Sequence, residues 1–131
     1  MGDLTTNFSL TDFRDKETNP ETPVPRQYHA NVRQLAENLQ VLRDHLDKPV
    51  YVNCGYRTAD TNAKYKRRAS KSNHLLAMAA DIHVKEMTAA DLYDAIKKLI
   101  DEKKMHNGGL MYYPLFVHYD VRKTAWRSPG P

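Results

Sequence analysis

Phe116-Val117-His118-Tyr119-Asp120-Val121-Arg122 alternates strictly between two kinds of side chain, and its reading decides the fold. Successive side chains of a strand point to opposite faces. Val117, Tyr119 and Val121 therefore share an apolar face that belongs in a core, while Phe116, His118, Asp120 and Arg122 share the other. Outwards from this strand the pattern repeats in Asp81-Ile82-His83-Val84, with Asp81 and His83 facing away from Ile82 and Val84. Val50-Tyr51-Val52 reads as another short strand, because β-branched and aromatic residues suit a pleated surface. Residues 110–113 read as a further one, parted from 116–122 by Pro114.

Helical periodicity fills the intervals. Between 29 and 47, Val32, Leu35, Leu39, Leu42 and Leu46 recur at three- and four-residue steps, which makes one buried stripe, and Pro49 stops the helix. Gly55-Tyr56-Arg57 is a turn leading into a short polar helix over 58–66. Thr88 and Asp91 form a capping-box pattern ahead of a helix with Leu92, Ala95, Ile96, Leu99 and Ile100 on one face. His106-Asn107-Gly108-Gly109 is a turn. Helices flanking a few short strands predict an α+β domain with a small antiparallel sheet. Residues 1–28 are polar, carry Pro20, Pro23 and Pro25, and read as an extended arm anchored by Phe8, Leu10 and Phe13 on a single domain, 29–131.

A chain of 131 residues suits one domain, and 40% hydrophobic with 27% charged residues excludes disorder. No apolar run approaches the ~20 residues of a membrane-spanning helix. Met1 to Leu10 lacks a basic segment followed by an apolar one, so no signal peptide is expected. Synthesis is then cytoplasmic, and a target beyond the membrane is reached by release or delivery, as with phage lytic enzymes. The single cysteine, Cys54, excludes an intramolecular disulfide and reads as a small residue buried at a strand end. A net charge of +4 favours approach to anionic polymers, nucleic acid and bacterial wall alike. The basic stretch of Lys64, Lys66, Arg67, Arg68 and Lys71 reads as a solvated loop, so no nucleic-acid partner is expected. Tyr112, Tyr113 and Trp126 suit a substrate groove and core or rim packing equally.

His74 precedes Asp81 by seven residues, and the small Ala77, Ala79 and Ala80 between them let the backbone pass close to a neighbour or a ligand. Two imidazoles and a carboxylate (His74, Asp81 and His118) make a set suited to catalytic zinc, with the fourth position left to water. The metal lowers the pKa of that water towards ~7. Spacing alone does not single out this trio, since six His and sixteen acidic residues offer many combinations.

Ser72-Asn73-His74-Leu75-Leu76-Ala77-Met78-Ala79-Ala80-Asp81 resembles the S-x-H-x-x-G-x-A-x-D signature of the M15 zinc peptidases. These are D-Ala-D-Ala carboxypeptidases and L-alanyl-D-glutamate endopeptidases, related in fold to the hedgehog signalling domain. Cys54-Gly55-Tyr56-Arg57 is similar to their S-G-Y-R segment, and Phe116 to Arg122 is similar to the F-V-H-V-D-V-R strand of the carboxypeptidase-like branch. Asn7-Phe8-Ser9-Leu10 and Leu39-Gln40-Val41-Leu42-Arg43 also fit that branch, so the likeness runs in order along nearly the whole chain.

The resemblance implies that His74, Asp81 and His118 hold Zn²⁺ and that Arg57 grips a substrate carboxylate or carbonyl oxygen, for which its donor fork is suited. It assigns Ser72 a hydrogen bond to the peptide, the competing role being a cap. Three departures stand out: Ala77 replaces a glycine, Arg67-Arg68 replace Gly-Gly, and Leu115 occupies the place where relatives carry an acidic general base. Asp120, on the strand face of His118 and within ~7 Å, substitutes either as the base or as the carboxylate that orients His118. His83 is a lesser candidate for the base. The implied activity is zinc-dependent hydrolysis of an amide bond in a peptidoglycan stem peptide, by a monomer acting as D,D-carboxypeptidase or endopeptidase. The rival is a catalytically weak or inactive zinc-containing binding module of the same fold, which Leu115 also suits.

Overall fold

In the computed structural model, which describes residues 2–64 and 72–131, the apolar stripes become two helices packed on a sheet. Helix α1 (His29–Leu46) buries Val32, Leu35, Ala36, Leu39 and Leu42, and ends where Asp47 turns left-handed at φ 52°, two residues before Pro49. A second long helix, numbered α3 in chain order (Ala89–Asp101), starts at Thr88, whose Oγ1 accepts the Asp91 N–H at 3.1 Å. This is the hydroxyl half of the expected capping box. Its buried face holds Leu92, Tyr93, Ile96, Leu99 and Ile100. Between the two lies α2 (Ala59–Asn62), a single turn capped by Thr58 and shorter than the expected 58–66. Residues 63 and 64 form a turn after the helix, and positions 65–66 of that expectation, together with Arg67, Arg68 and Lys71 of the basic stretch, lie outside the described residues. Among the described residues no helix is long and apolar enough to cross a membrane.

Five strands form one sheet: β1 (Tyr51–Cys54), β2 (Ala79–His83), β3 (Gly109–Tyr112), β4 (Val117–Asp120) and β5 (Trp126–Arg127), in the order β1-β2-β4-β3-β5. The first three pairings in that order are antiparallel, but β5 runs parallel to β3. The expected antiparallel pairing thus holds for β1 to β4, and the two-residue β5 adds a parallel edge that makes the sheet mixed. Two residues are too few for a period-two signal, and β5 is held instead by backbone bonds from Trp126 to Gly108 and from Ser128 to Leu110. Helix α1 packs against β2, and α3 against β3 and β4. Ile82, Leu110, Val117 and Tyr119 are fully buried in this core, leaving the opposite sheet face for polar groups.

Phe8, Phe13 and Val24 belong to the same apolar cluster as α1. Asp15 ties this N-terminal segment to the loop after β1. Its Oδ2 accepts the Thr58 N–H and its Oδ1 the Glu17 N–H, both at 2.9 Å, while Tyr56 N–H donates to the Phe13 carbonyl at 2.8 Å. Burial pushes the Asp15 pKa up, but these hydrogen bonds outweigh it and hold the carboxyl below its usual 3.8. A depressed folded pKa contributes stability that is present above 3.8 and is lost as pH falls through the folded value. Asp15→Asn should therefore cost about 1–3 kcal/mol at pH 7, and the gap to wild type should shrink towards pH ~3. Urea unfolding at both pH values checks this, and a gap that does not change contradicts it.

Candidate metal centre

Directly paired residues of antiparallel strands project to the same face. The register aligns Cys54 with Asp81, Asp81 with His118, and His118 with Met111, so one row crosses β1, β2, β4 and β3. The adjacent row is Ala79, Asp120 and Gly109. Small neighbours on both sides make room for the Asp120 carboxylate. A Cβ on Gly109 would stand 2.6 Å from Asp120 Cγ, which explains the glycine without appeal to a turn.

His74 reaches this face from the 3-10 turn Asn73–Leu76. Ser72 Oγ caps the turn by accepting the His74 N–H at 3.2 Å, and the Arg57 N–H donates to the His74 carbonyl at 3.0 Å. The turn ends at Ala77, left-handed at φ 56°. That conformation costs a non-glycine residue ~1–2 kcal/mol. The glycine that relatives carry here thus has a conformational reason as well as the packing reason inferred from the sequence.

The expected ligands meet. Asp81 Oδ1 lies 3.4 Å from His74 Nε2 and 3.0 Å from His118 Nδ1. The outer nitrogens are committed elsewhere: His74 Nδ1 is 2.7 Å from the Gly55 carbonyl and His118 Nε2 is 2.8 Å from Asp120 Oδ2. A carbonyl can only accept, so His74 carries its proton on Nδ1, and the ionised Asp120 likewise keeps the proton of His118 on Nε2. Both inner nitrogens then turn lone pairs towards a carboxylate, an arrangement that calls for positive charge between them. Metal-binding histidines share this pattern, donating their second N–H to a carbonyl or carboxylate. Imidazole nitrogens with one carboxylate suit Zn²⁺ better than Mg²⁺ or Ca²⁺, which favour oxygen. The same demand for positive charge between the carboxylates appears as pKa shifts. Burial pushes the His74 and His118 values down, but hydrogen bonds to Asp81 and Asp120 outweigh it and raise them. Burial pushes Asp81 and Asp120 up, yet their partners hold both well below the ordinary carboxylate range.

Asp120 is fully buried and heavily bonded. Oδ1 accepts from Gly109 N (2.9 Å), Arg122 N (3.1 Å) and Arg122 Nε (2.8 Å), and Oδ2 from Arg122 Nη2 (2.7 Å) and Asn73 Nδ2 (3.5 Å) as well as from His118. Arg57 places Nη2 3.6 Å from Asp81 Oδ2 and donates from Nε to Cys54 Sγ at 3.2 Å. His83 stands one row away, hydrogen-bonded to Asn53 and stacked 5.1 Å from Tyr51. Leu115 lies outside the row, 86% exposed between β3 and β4. Tyr113 stacks on Phe116 at 4.6 Å, Tyr112 meets the core residue Tyr93, and Trp126 lies under Arg122.

Three participants escaped the sequence reading. The Gly55 carbonyl orients His74, Arg122 clamps Asp120, and Cys54 stands beside Asp81 in the row. The Arg122 clamp had a signal, since Asp120 and Arg122 sit two apart on one strand face. The other two depend on which strand pairs with which.

A model of the Peptidase M15 family matches residues 6–120, a span containing every candidate site residue. The chain is 31% identical over 123 residues to the probable peptidoglycan L,D-endopeptidase MepK of Haemophilus influenzae, covering 88% of this chain and 61% of that protein. Against the peptidoglycan L,D-endopeptidase MepK of Escherichia coli K12 it is 35% identical over 80 residues, covering 56% of this chain and 41% of that protein. The chain thus spans less than two thirds of the length of these curated relatives.

Proposed function

The chain belongs to the peptidase M15 family, and from that membership we propose that it is a zinc-dependent endopeptidase cutting an amide bond in the peptide stems of peptidoglycan. The observation that carries the zinc reading is the pair of inner nitrogens, His74 Nε2 and His118 Nδ1, facing one oxygen of Asp81 while their outer nitrogens are bonded away. Bound by these residues, Zn²⁺ would supply Lewis acidity and a water nucleophile at neutral pH. Both relatives are named L,D-endopeptidases, which supports an internal cut over removal of a terminal D-residue. Such a substrate lies beyond the cytoplasmic membrane, so the proposal includes release or delivery of the chain, acting as a monomer with 1–28 laid on a single domain.

Each residue then has a task. Arg57, anchored through its backbone to the His74 turn, presents its guanidinium at the edge of the site, where it grips the scissile carbonyl oxygen or a stem carboxylate. Ser72 caps His74 through its oxygen and keeps its hydroxyl proton to donate to a peptide carbonyl. Asp120, of the two roles the sequence left open, is best suited to orienting His118, because its oxygens already accept six N–H groups. Arg57→Lys should keep fold and metal but lower turnover by at least ~10-fold, since a point charge cannot reproduce two-pronged donation. Steady-state cleavage of a synthetic stem peptide checks it, and wild-type kinetics would remove Arg57 from the machinery.

One observation favours the rival, a metal-holding module with little turnover. Both carboxylates beside His118 are committed to other partners, and Leu115 supplies no acid. Incubating purified wall with the protein and resolving the products by mass spectrometry decides between them. New peptide fragments support the enzyme; intact wall, with the protein folded and metal-loaded, supports the module.

A further inference from the structure

Cys54 has no task in the scheme above, yet it occupies a donor position. Its backbone pairs with Asp81, which puts its side chain in the row that continues to His118. Cys54 Sγ, a ring nitrogen of His74 and a carboxylate oxygen of Asp81 lie within 4.8 Å of one another. Donors around a tetrahedral zinc stand about 3.3–3.8 Å apart, given Zn–S of ~2.3 Å and Zn–N of ~2.0–2.1 Å. The His74–Asp81 separation of 3.4 Å is already there; Sγ lies 3.9 Å from His74 Nδ1, so to join the set it must shift towards the Nε2 side of the ring. We propose that Cys54 is a fourth protein ligand of the metal held by His74, Asp81 and His118, so that the resting centre is closed by a thiolate which must give way to admit water and substrate.

Charge supports this. A dication with two neutral imidazoles, the Asp81 carboxylate and a thiolate sums to zero, and Asp120 is already balanced by Arg122 at 2.7 Å. The Arg57 Nε–H donates to Sγ at 3.2 Å, a bond that strengthens when the sulfur is anionic and that offers the thiolate a resting place when displaced. A closed four-donor set is also the arrangement of structural zinc, whereas three ligands leave the site open. A thiolate among the donors shifts preference further towards soft and borderline ions.

The inference rests on the metal reading of the same site, and cobalt separates the two. Co²⁺ added to metal-free protein reports any site through visible ligand-field bands, and reports sulfur through a near-ultraviolet thiolate-to-metal charge-transfer band. Because the chain has one cysteine, that band can come only from Cys54. The wild type should show both, and Cys54→Ser and Cys54→Ala should keep the visible bands, lose the ultraviolet one and bind the metal at least ~10-fold more weakly. Visible bands without charge transfer in the wild type would overturn the role of Cys54 and leave the three-ligand centre standing. No cobalt uptake at all would overturn the centre, and this inference with it.

Discussion

His118→Ala protein is expected to purify with little or no zinc and to unfold at least ~10 °C below the wild type. The argument begins with charge. His118 is the bridge between Asp81 at 3.0 Å and Asp120 at 2.8 Å, both buried. Removing it deletes a proposed ligand and takes from two buried carboxylates their shortest imidazole contact, leaving Arg122 on Asp120 and Arg57 and His74 on Asp81. Breaking a buried charged pair by removing one partner costs ~3–5 kcal/mol, which for a domain of this size shifts the melting temperature by roughly 10–20 °C. Loss of a metal that binds only the native state adds to this. Metal analysis with thermal unfolding checks the expectation. Full zinc content and an unchanged melting temperature would show that His118 is a core histidine with no ligand role.

Asp120→Asn is expected to weaken zinc binding by ~10–100-fold, the usual consequence of removing a partner that orients a metal-binding histidine. The amide keeps the shape but loses the charge that holds the proton on His118 Nε2, and it leaves the Arg122 fork facing a neutral group. Added zinc should then restore much of the turnover. A general base predicts the opposite combination: normal zinc affinity with a rate down ~10²–10⁴-fold that no amount of metal repairs. Titrating zinc against both affinity and rate therefore distinguishes positioning from proton transfer. Normal affinity and normal rate together exclude both roles and turn attention to His83.

What the sequence made legible was whatever repeats locally. The stripe of α1 and the alternation of β4 stand out because each element has one face in the core and one outside it, so burial writes a period into the chain. The trio His74, Asp81 and His118 was reachable through motif resemblance, and the structure brings the three side chains together. Other features are written across strands. That Cys54 lies beside Asp81 follows from the pairing of β1 with β2, and no pattern within Tyr51–Cys54 announces it. The saturation of Asp120 depends on Gly109 approaching from β3. β5 carries too few residues for any period, and Ala77 gives no compositional sign of its left-handed backbone.

The central claim, that His74, Asp81 and His118 form a zinc centre in a working peptidase, is tested most directly by measuring metal content and wall cleavage on the same preparation before and after chelation. The account predicts close to one zinc per chain, cleavage that disappears with the metal, and recovery of both when zinc is returned. Metal-free protein that cleaves wall at the untreated rate would contradict it.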